Sequence, residues 1–179
     1  MERFRMQERF TALREMLEYG VYHVVQNLKI EGYTSEEPLP FSEKKKGAYR
    51  LWQPGEHWGD LFDCGWFHFT GTIPPEAAGK HLAVLVDLSA EGLVVDQNGN
   101  PVQGLTSATS RNEFPLGLWG KRTIELKDCV NEQGQIDFWG DFTCMDIEGQ
   151  YRNNGRIKEA CLVWARPDGA GGYEVQELF

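Results

Sequence analysis

Between Leu82 and Leu88 the apolar residues Leu82, Val84, Val86 and Leu88 alternate with Ala83, Leu85 and Asp87, the period of two that turns successive side chains to opposite faces of a β-strand. After a break at Glu91-Gly92, a second run from Leu93 to Asp96 reaches Asn98-Gly99, a pair that supplies positive φ at both centres of a tight hairpin turn. Val102 to Thr106 then reads as the returning strand. Upstream, Trp66-Phe67-His68-Phe69-Thr70-Gly71-Thr72-Ile73 is strand-like and stops at Pro74-Pro75, because proline cannot donate to a ladder. Glu76 to Lys80 is a connecting turn before the strand that opens at His81. Further strands are predicted over Arg122 to Leu126, Ile136 to Thr143 and Glu159 to Ala165. Short strands at such spacing, separated by Gly, Pro and Asn, predict a mainly β protein, a β-sandwich of jelly-roll or galactose-binding-domain-like form.

The N-terminal quarter has another texture. Phe10, Leu13 and Leu17, with Met6 and Met16 beside them, recur on one stripe of a predicted N-terminal α-helix from Met1 to Tyr19, and Gly20 supplies a stop signal. That stripe must pack on the chain's own β core or on a neighbouring domain or subunit. Val21 to Ile30 is rich in β-branched residues and reads as a strand, although Val21, Val24, Val25 and Leu28 also suit a continued helix. Thr34 to Lys46, with two prolines, three glutamates and three lysines, reads as a polar crossing loop. The expected organisation is one structural domain: residues 1–47 form the helix and crossing segment packed on the sandwich, and residues 48–179 form the sandwich itself.

Composition narrows the function classes. A chain of 179 residues is long enough to bury roughly 70% of its unfolded surface without disulfides or metal. A net charge of −9, with Lys44-Lys45-Lys46 the only basic run, argues against a nucleic-acid partner, which would demand a basic face. No stretch approaches the ~20 apolar residues of a membrane span, and Met1-Glu2-Arg3-Phe4-Arg5 does not open a signal peptide. Cys64, Cys129, Cys144 and Cys161 are widely spaced, without a Cys-x-x-Cys pair, and read as buried thiols, with two disulfides as the alternative for a secreted protein. These features together predict a cytoplasmic domain.

Candidate chemistry is sparse. Asp96-x-Asn98-x-Asn100 resembles the opening of a calcium loop, but Pro101 and Ser107 stand where such a loop needs Gly and a bidentate Glu. His23, His57, His68 and His81 are scattered, with no His-x-x-x-His pair. Glu91, Asp96, Glu113, Asp137, Asp141 and Asp146 are candidates for a pair of carboxylates facing each other across a glycosidic bond. With 27 acidic residues in the chain, such pairs also arise on any solvated face. Trp58, Trp119 and Trp139 lie near turns, where a ring can stack on a pyranose or pack into the core. Arg111 with Glu113 reads as a structural ion pair or a ligand clamp.

Several of these features recur together. Trp66-Phe67 in a strand, Ile73-Pro74 closing it, Gly79-Lys80 before the next, Glu91-Gly92-Leu93-Val94 with Asp96 and Gly99, Pro101 through Thr106, and Arg111-x-Glu113-Phe114 resemble the N-terminal region of α-mannosidases of glycoside hydrolase family 38. The match in order and spacing runs over roughly Trp52 to Phe114. The resemblance implies a β-sandwich that precedes a separate catalytic domain, where a zinc ion held by His and Asp residues grips mannose and an Asp acts as nucleophile in a retaining mechanism. The family's His-x-Asp zinc motif is absent from the neighbourhoods of all four histidines, so no catalytic or metal residue is carried over. The loop Thr143-Cys144-Met145-Asp146-Ile147-Glu148-Gly149 departs from the family's small-residue loop.

The reading that results is a non-catalytic N-terminal domain of an α-mannosidase, with no cofactor of its own and zinc implied for the catalytic domain. Its expected partners are that catalytic domain in the same polypeptide, a sister subunit and a mannoside. Glu177-Leu178-Phe179 would fall near the start of the linker between the two domains. Candidate sugar or domain-interface contacts are Glu91, Asp96, Arg111, Glu113, Trp119 and Trp58. A freestanding carbohydrate-binding module and a small self-sufficient glycosidase are the alternatives.

Overall fold

A computed structural model of the chain describes residues 22–107, 120–147 and 151–165. The predicted helix from Met1 to Tyr19 lies outside the described residues. Among the described residues twelve strands are formed: β1 (Tyr22–Asn27), β2 (Lys29–Ser35), β3 (Arg50–Trp52), β4 (Cys64–Thr72), β5 (Leu82–Asp87), β6 (Glu91–Val95), β7 (Pro101–Thr106), β8 (Thr123–Glu125), β9 (Gln135–Thr143), β10 (Asp146–Ile147), β11 (Tyr151–Arg152) and β12 (Glu159–Ala165). They build a four-stranded sheet in the order β1-β12-β5-β8 and a six-stranded sheet in the order β3-β2-β4-β9-β6-β7, with β10-β11 as a small separate hairpin. The pairings are antiparallel throughout. The architecture is mainly β, a jelly-roll sandwich, as the pattern of short strands predicts.

The single strand expected over Val21 to Ile30 is instead two strands in two sheets. β1 pairs with β12 and carries a register shift between Val24 and Gln26, whereas β2 pairs with β4. The crossover pivots on Leu28, which is buried in the core and donates its N–H to the Ala160 carbonyl at 2.9 Å. A bulge bends the strand and sharpens its twist, so one continuous apolar run can serve both layers. The division at residues 47 and 48 therefore falls after two strands that are integral to the sheets.

The two layers face each other across Phe67, Phe69, Phe138 and Phe142 of the six-stranded sheet and Val84, Val86 and Leu162 of the four-stranded one. Two phenylalanine rings need glycine neighbours. A Cβ at Gly32 or Gly65 would lie 2.6 or 2.8 Å from the Phe67 ring, and one at Gly92 or Gly140 would lie 2.4 or 2.5 Å from the Phe142 ring. Gly92 accordingly sits inside β6, in the strand that the sequence pattern interrupts there.

Two further expectations change. Residues 36–49 do cross the outer face of the large sheet, but not as a merely polar loop. Leu39, Phe41 and Tyr49 pack on Tyr33, Trp66, Val95 and Trp139 to form a second small core. The Trp66 indole donates to the Leu39 carbonyl at 2.8 Å and the Tyr33 hydroxyl to the Glu43 carbonyl at 2.9 Å, so the loop satisfies the polar tips of the rings it covers. In the β6-β7 hairpin, among the central residues, only Gly99 has positive φ, at 87°. The turn is held instead by Asp96, whose Oδ1 accepts the N–H groups of Asn98 and Asn100 at 2.8 Å each and whose Oδ2 accepts from Asn100 Nδ2 at 2.9 Å. A carboxylate that caps its own turn replaces the two-residue turn that Asn98-Gly99 predicts.

Candidate functional site

Three of the six candidate contact residues, Trp58, Asp96 and Glu91, fall among the described residues, each in a separate setting. Trp58 is only 4% exposed; its indole donates to the Leu88 carbonyl at 2.8 Å and meets Phe67 edge-on at 5.2 Å. Its ring is thus a core element, with no face open to a sugar. Asp96 is occupied by the hairpin turn, and hydrogen bonds from Asn100, Asn98 and Gly99 hold its carboxyl below the usual aspartate value. Glu91 opens β6 between Thr106 and Thr143, and its Oε1 is buried without a hydrogen-bond partner. Arg111, Glu113 and Trp119 lie outside the described residues.

A different group converges on the outer face of the six-stranded sheet. His68 of β4 and Trp139 of β9 are direct cross-strand partners, and their rings stack with centroids 4.3 Å apart and planes 6° from parallel. His68 Nε2 lies 2.9 Å from Asp137 Oδ1, Asp137 being two residues before Trp139 on the same face. Tyr49 meets the far side of Trp139 edge-on at 6.0 Å. Together with Glu31 and Lys45 these rings line a concavity of about 300 Å³, and Lys44, Gln97 and Asp137 extend it. The basic run is therefore not simply solvated: Lys44 Nζ lies 3.3 Å from the Phe41 ring centroid and 5.3 Å from that of Trp139.

Burial shapes the electrostatics of this face. The Tyr49 hydroxyl is buried without a partner, and desolvation raises it above the ordinary phenol value. Asp141, paired across from Trp66 and Leu93, is pushed up to about 6 by desolvation. Desolvation first, and then Lys45, lowers Lys44 below the usual lysine value. The concavity presents both signs of charge: Lys44 and Lys45 line it together with Glu31 and Asp137, while Glu31 is bound to Lys29 at 2.9 Å. The pairing that creates the site was not readable from either strand alone. Tyr49, Lys44 and Lys45 come from a loop whose packing has no periodic signal.

Among the described residues, no three His, Cys, Asp or Glu side chains converge on a position that could hold a metal ion. His68 is committed to Trp139 and Asp137, and His57 lies 3.4 Å from Asp60. Among the described residues, these side chains do not fit a zinc site. Cys64, Cys129, Cys144 and Cys161 are free and buried, and desolvation pushes Cys129, Cys144 and Cys161 up to about 12. Among the described residues, no helix is long and apolar enough to cross a membrane.

No curated protein matches the chain. A family model described as the jelly roll domain of alpha-mannosidase matches residues 24–169, a span that takes in both sheets and the concavity on the larger one. With more than half of its length matched, and with the architecture that the description states, the chain belongs to the family of α-mannosidase jelly-roll domains.

Proposed function

We propose that this chain is the non-catalytic N-terminal domain of a cytoplasmic α-mannosidase, a retaining zinc-dependent glycoside hydrolase, and that it braces the catalytic domain or the assembly of subunits. The observation that carries the reading is the family match over residues 24–169, which coincides with a complete sandwich that has its own core. The side chains with acid or metal chemistry support it. Asp96 caps a turn, His68 and Asp137 bind each other, and the four thiols are buried. In this role the domain contributes rigidity and surface, while sugar hydrolysis belongs to residues elsewhere in the polypeptide.

The test is turnover of an aryl α-mannoside by the purified chain with added zinc, read beside the coding sequence beyond Phe179. The expected result is no turnover, with a hydrolase domain bearing a His-x-Asp motif encoded downstream. Turnover by the chain alone, unaffected by chelators, would overturn the reading in favour of a small glycosidase. A reading frame that encodes no hydrolase domain would also overturn it.

A second reading, mannoside binding, is favoured by the ring-lined concavity at His68, Trp139 and Tyr49. Ring edges beside carboxylates and lysines are the chemistry that recognises a sugar's C–H groups and its hydroxyl groups. Titration calorimetry with methyl α-mannoside should then show saturable heat, diminished by His68→Ala. The absence of heat at millimolar sugar would remove this reading.

A further inference from the structure

The four-stranded sheet has an outer face as well as the face it turns to the core. Ala83 and Leu85 of β5 and Cys161 and Val163 of β12 form an apolar group there, separate from the main core. They alternate with Val84, Val86, Ala160 and Leu162, which belong to the core between the sheets, as the pleat of a strand requires. Ala83 and Val163 are 0% exposed, Cys161 2% and Leu85 3%. Burial so complete requires cover from above the sheet. Among the described residues, Tyr22 is the hydrophobic side chain packed against the group, and it stands at one end of β1.

Two rows of partners crossing the sheet give the shape of the cover. Val24, Val163, Ala83 and Glu125 are successive partners in one row. Its two central residues are fully buried, whereas Val24 on one edge is 64% exposed and the Glu125 side chain on the other edge 51%. In the next row Asn27, Cys161, Leu85 and Thr123 are partners, and again the central pair is buried while Asn27 is exposed and Thr123 half-buried. The covered band is therefore two strands wide. Strands lie ~4.8 Å apart, so the band matches a single α-helix, about 10 Å across with its side chains, lying along β5 and β12. A second sheet or a docked globular domain would bury Val24 and Glu125 as well.

The chain offers a segment with the matching pattern. Met6, Phe10, Leu13 and Leu17 recur at helical spacing before Gly20, a stripe that spans ~17 Å on a helix. Only Gly20 and Val21 lie between Tyr19 and Tyr22, where β1 starts beside Ala165, and a connection of about two to six residues is usual between a helix and a strand. The other long stretches outside the described residues fit less well. Residues 108–119 are interrupted by Pro115 and Gly117, and residues 166–179 by Pro167, Gly169, Gly171 and Gly172, which oppose a continuous helix.

We propose that residues 1–19 form an amphipathic helix that lies along β5 and β12 and closes the outer face of the four-stranded sheet with Met6, Phe10, Leu13 and Leu17. The family match begins at residue 24, so this third layer is supplied by the segment in front of the matched span. Such a cover leaves no apolar surface on this face for a sister subunit or a hydrolase domain.

The test uses the full chain. Nuclear Overhauser spectra of methyl-labelled protein should show contacts from Leu13 and Leu17 to Ala83, Leu85 and Val163, and mixed labelled and unlabelled chains should show that they arise within one molecule. Cys161 is a chemical reporter, since its free thiol is buried in the same band. Leu13→Asp should speed the labelling of Cys161 by a thiol-reactive dye about tenfold or more, because the outer layer then opens locally. Cys129 and Cys144, which belong to the core between the sheets, should keep their native rates. Glu15→Lys, on the opposite side of the helix, should change none of these rates. Contacts to Ala83 and Val163 from residues 114–118 or 173–179, or from a second copy, would overturn the proposal. So would unchanged labelling of Cys161 in Leu13→Asp, or equal acceleration of all three thiols.

Discussion

The His68 imidazole lies flat on the Trp139 indole, 4.3 Å between centroids and 6° from parallel, with its Nε2 held 2.9 Å from Asp137. Trp139 is 8% exposed although it stands on the outer face of the sheet, because the loop carrying Phe41, Lys44 and Tyr49 folds over it. Trp139→Ala should therefore cost about 3 kcal/mol, the scale for loss of a buried large ring, and loosen residues 36–49 first. Urea unfolding measures the cost, and proteolysis within that loop measures the loosening. A change below about 0.5 kcal/mol, the ordinary scale for a surface substitution, would mean that the loop does not depend on the ring.

Gly92→Ala tests the close approach of the Phe142 ring. A Cβ 2.4 Å from Phe142 Cε1 forces the ring or the strand to move, and overpacking of this kind costs about 1–3 kcal/mol. Pairing Gly92→Ala with Phe142→Leu should cost less than the sum of the two single changes, because the residues share one space. Strict additivity in urea unfolding would show that the clash is relieved elsewhere.

Asp141 carries a pH dependence of unusual sign. Its folded value of about 6 lies above the ordinary 3.8, so between these values the native state binds more protons than the unfolded chain. Stability therefore falls as pH rises from about 4 to about 6, and the charged carboxylate weakens the fold at neutral pH. Asp141→Asn should stabilise the chain at pH 7 by about 1 kcal/mol, after allowance for solvent reaching the group. The gain should vanish below pH 4. Melting temperatures of both proteins across pH 4 to 8 would reveal it, and a gain independent of pH would point to a cause other than ionisation.

The four cysteines should behave as one class. All are buried and unpaired, and a thiol reacts through its thiolate. A thiol-reactive dye should label none rapidly in the native chain and all four in guanidinium, and a reductant should leave the melting temperature unchanged. Rapid labelling of one native thiol would show local opening near it.

Much of the β architecture was legible along the chain. The alternation from Leu82 to Leu88 and the apolar aromatic run from Trp66 to Ile73 correspond to β5 and β4, and Glu159 to Ala165 matches β12. Such runs carry their own period, and prolines and glycines punctuate them. The split between β1 and β2 was not legible, because a bulge leaves the apolar content of a segment unchanged while moving half of it to another sheet. The capped turn at Asp96 was hidden for a related reason: Asn98-Gly99 signals a turn, but the hydrogen bonds of a neighbouring carboxylate choose which turn forms.

The candidate site was less legible still. Glu91 and Trp58 stood out by type and position, yet one leaves an unpartnered oxygen at the end of a sheet and the other lies inside the core. His68 and Trp139 gave no local signal, since they stand 71 positions apart along the chain and only β4-β9 pairing sets the two rings together.

By itself, then, the sequence determined the class of fold and the family it resembles, because strand period and turn chemistry are local properties that add along a chain. Only the tertiary structure decided which rings face the core and which carboxylates lose their partners. Those outcomes depend on register and on how the loops cross. Pairing β4 with β9 sets His68 on Trp139, and a slip of one residue would turn one of the two rings to the opposite face.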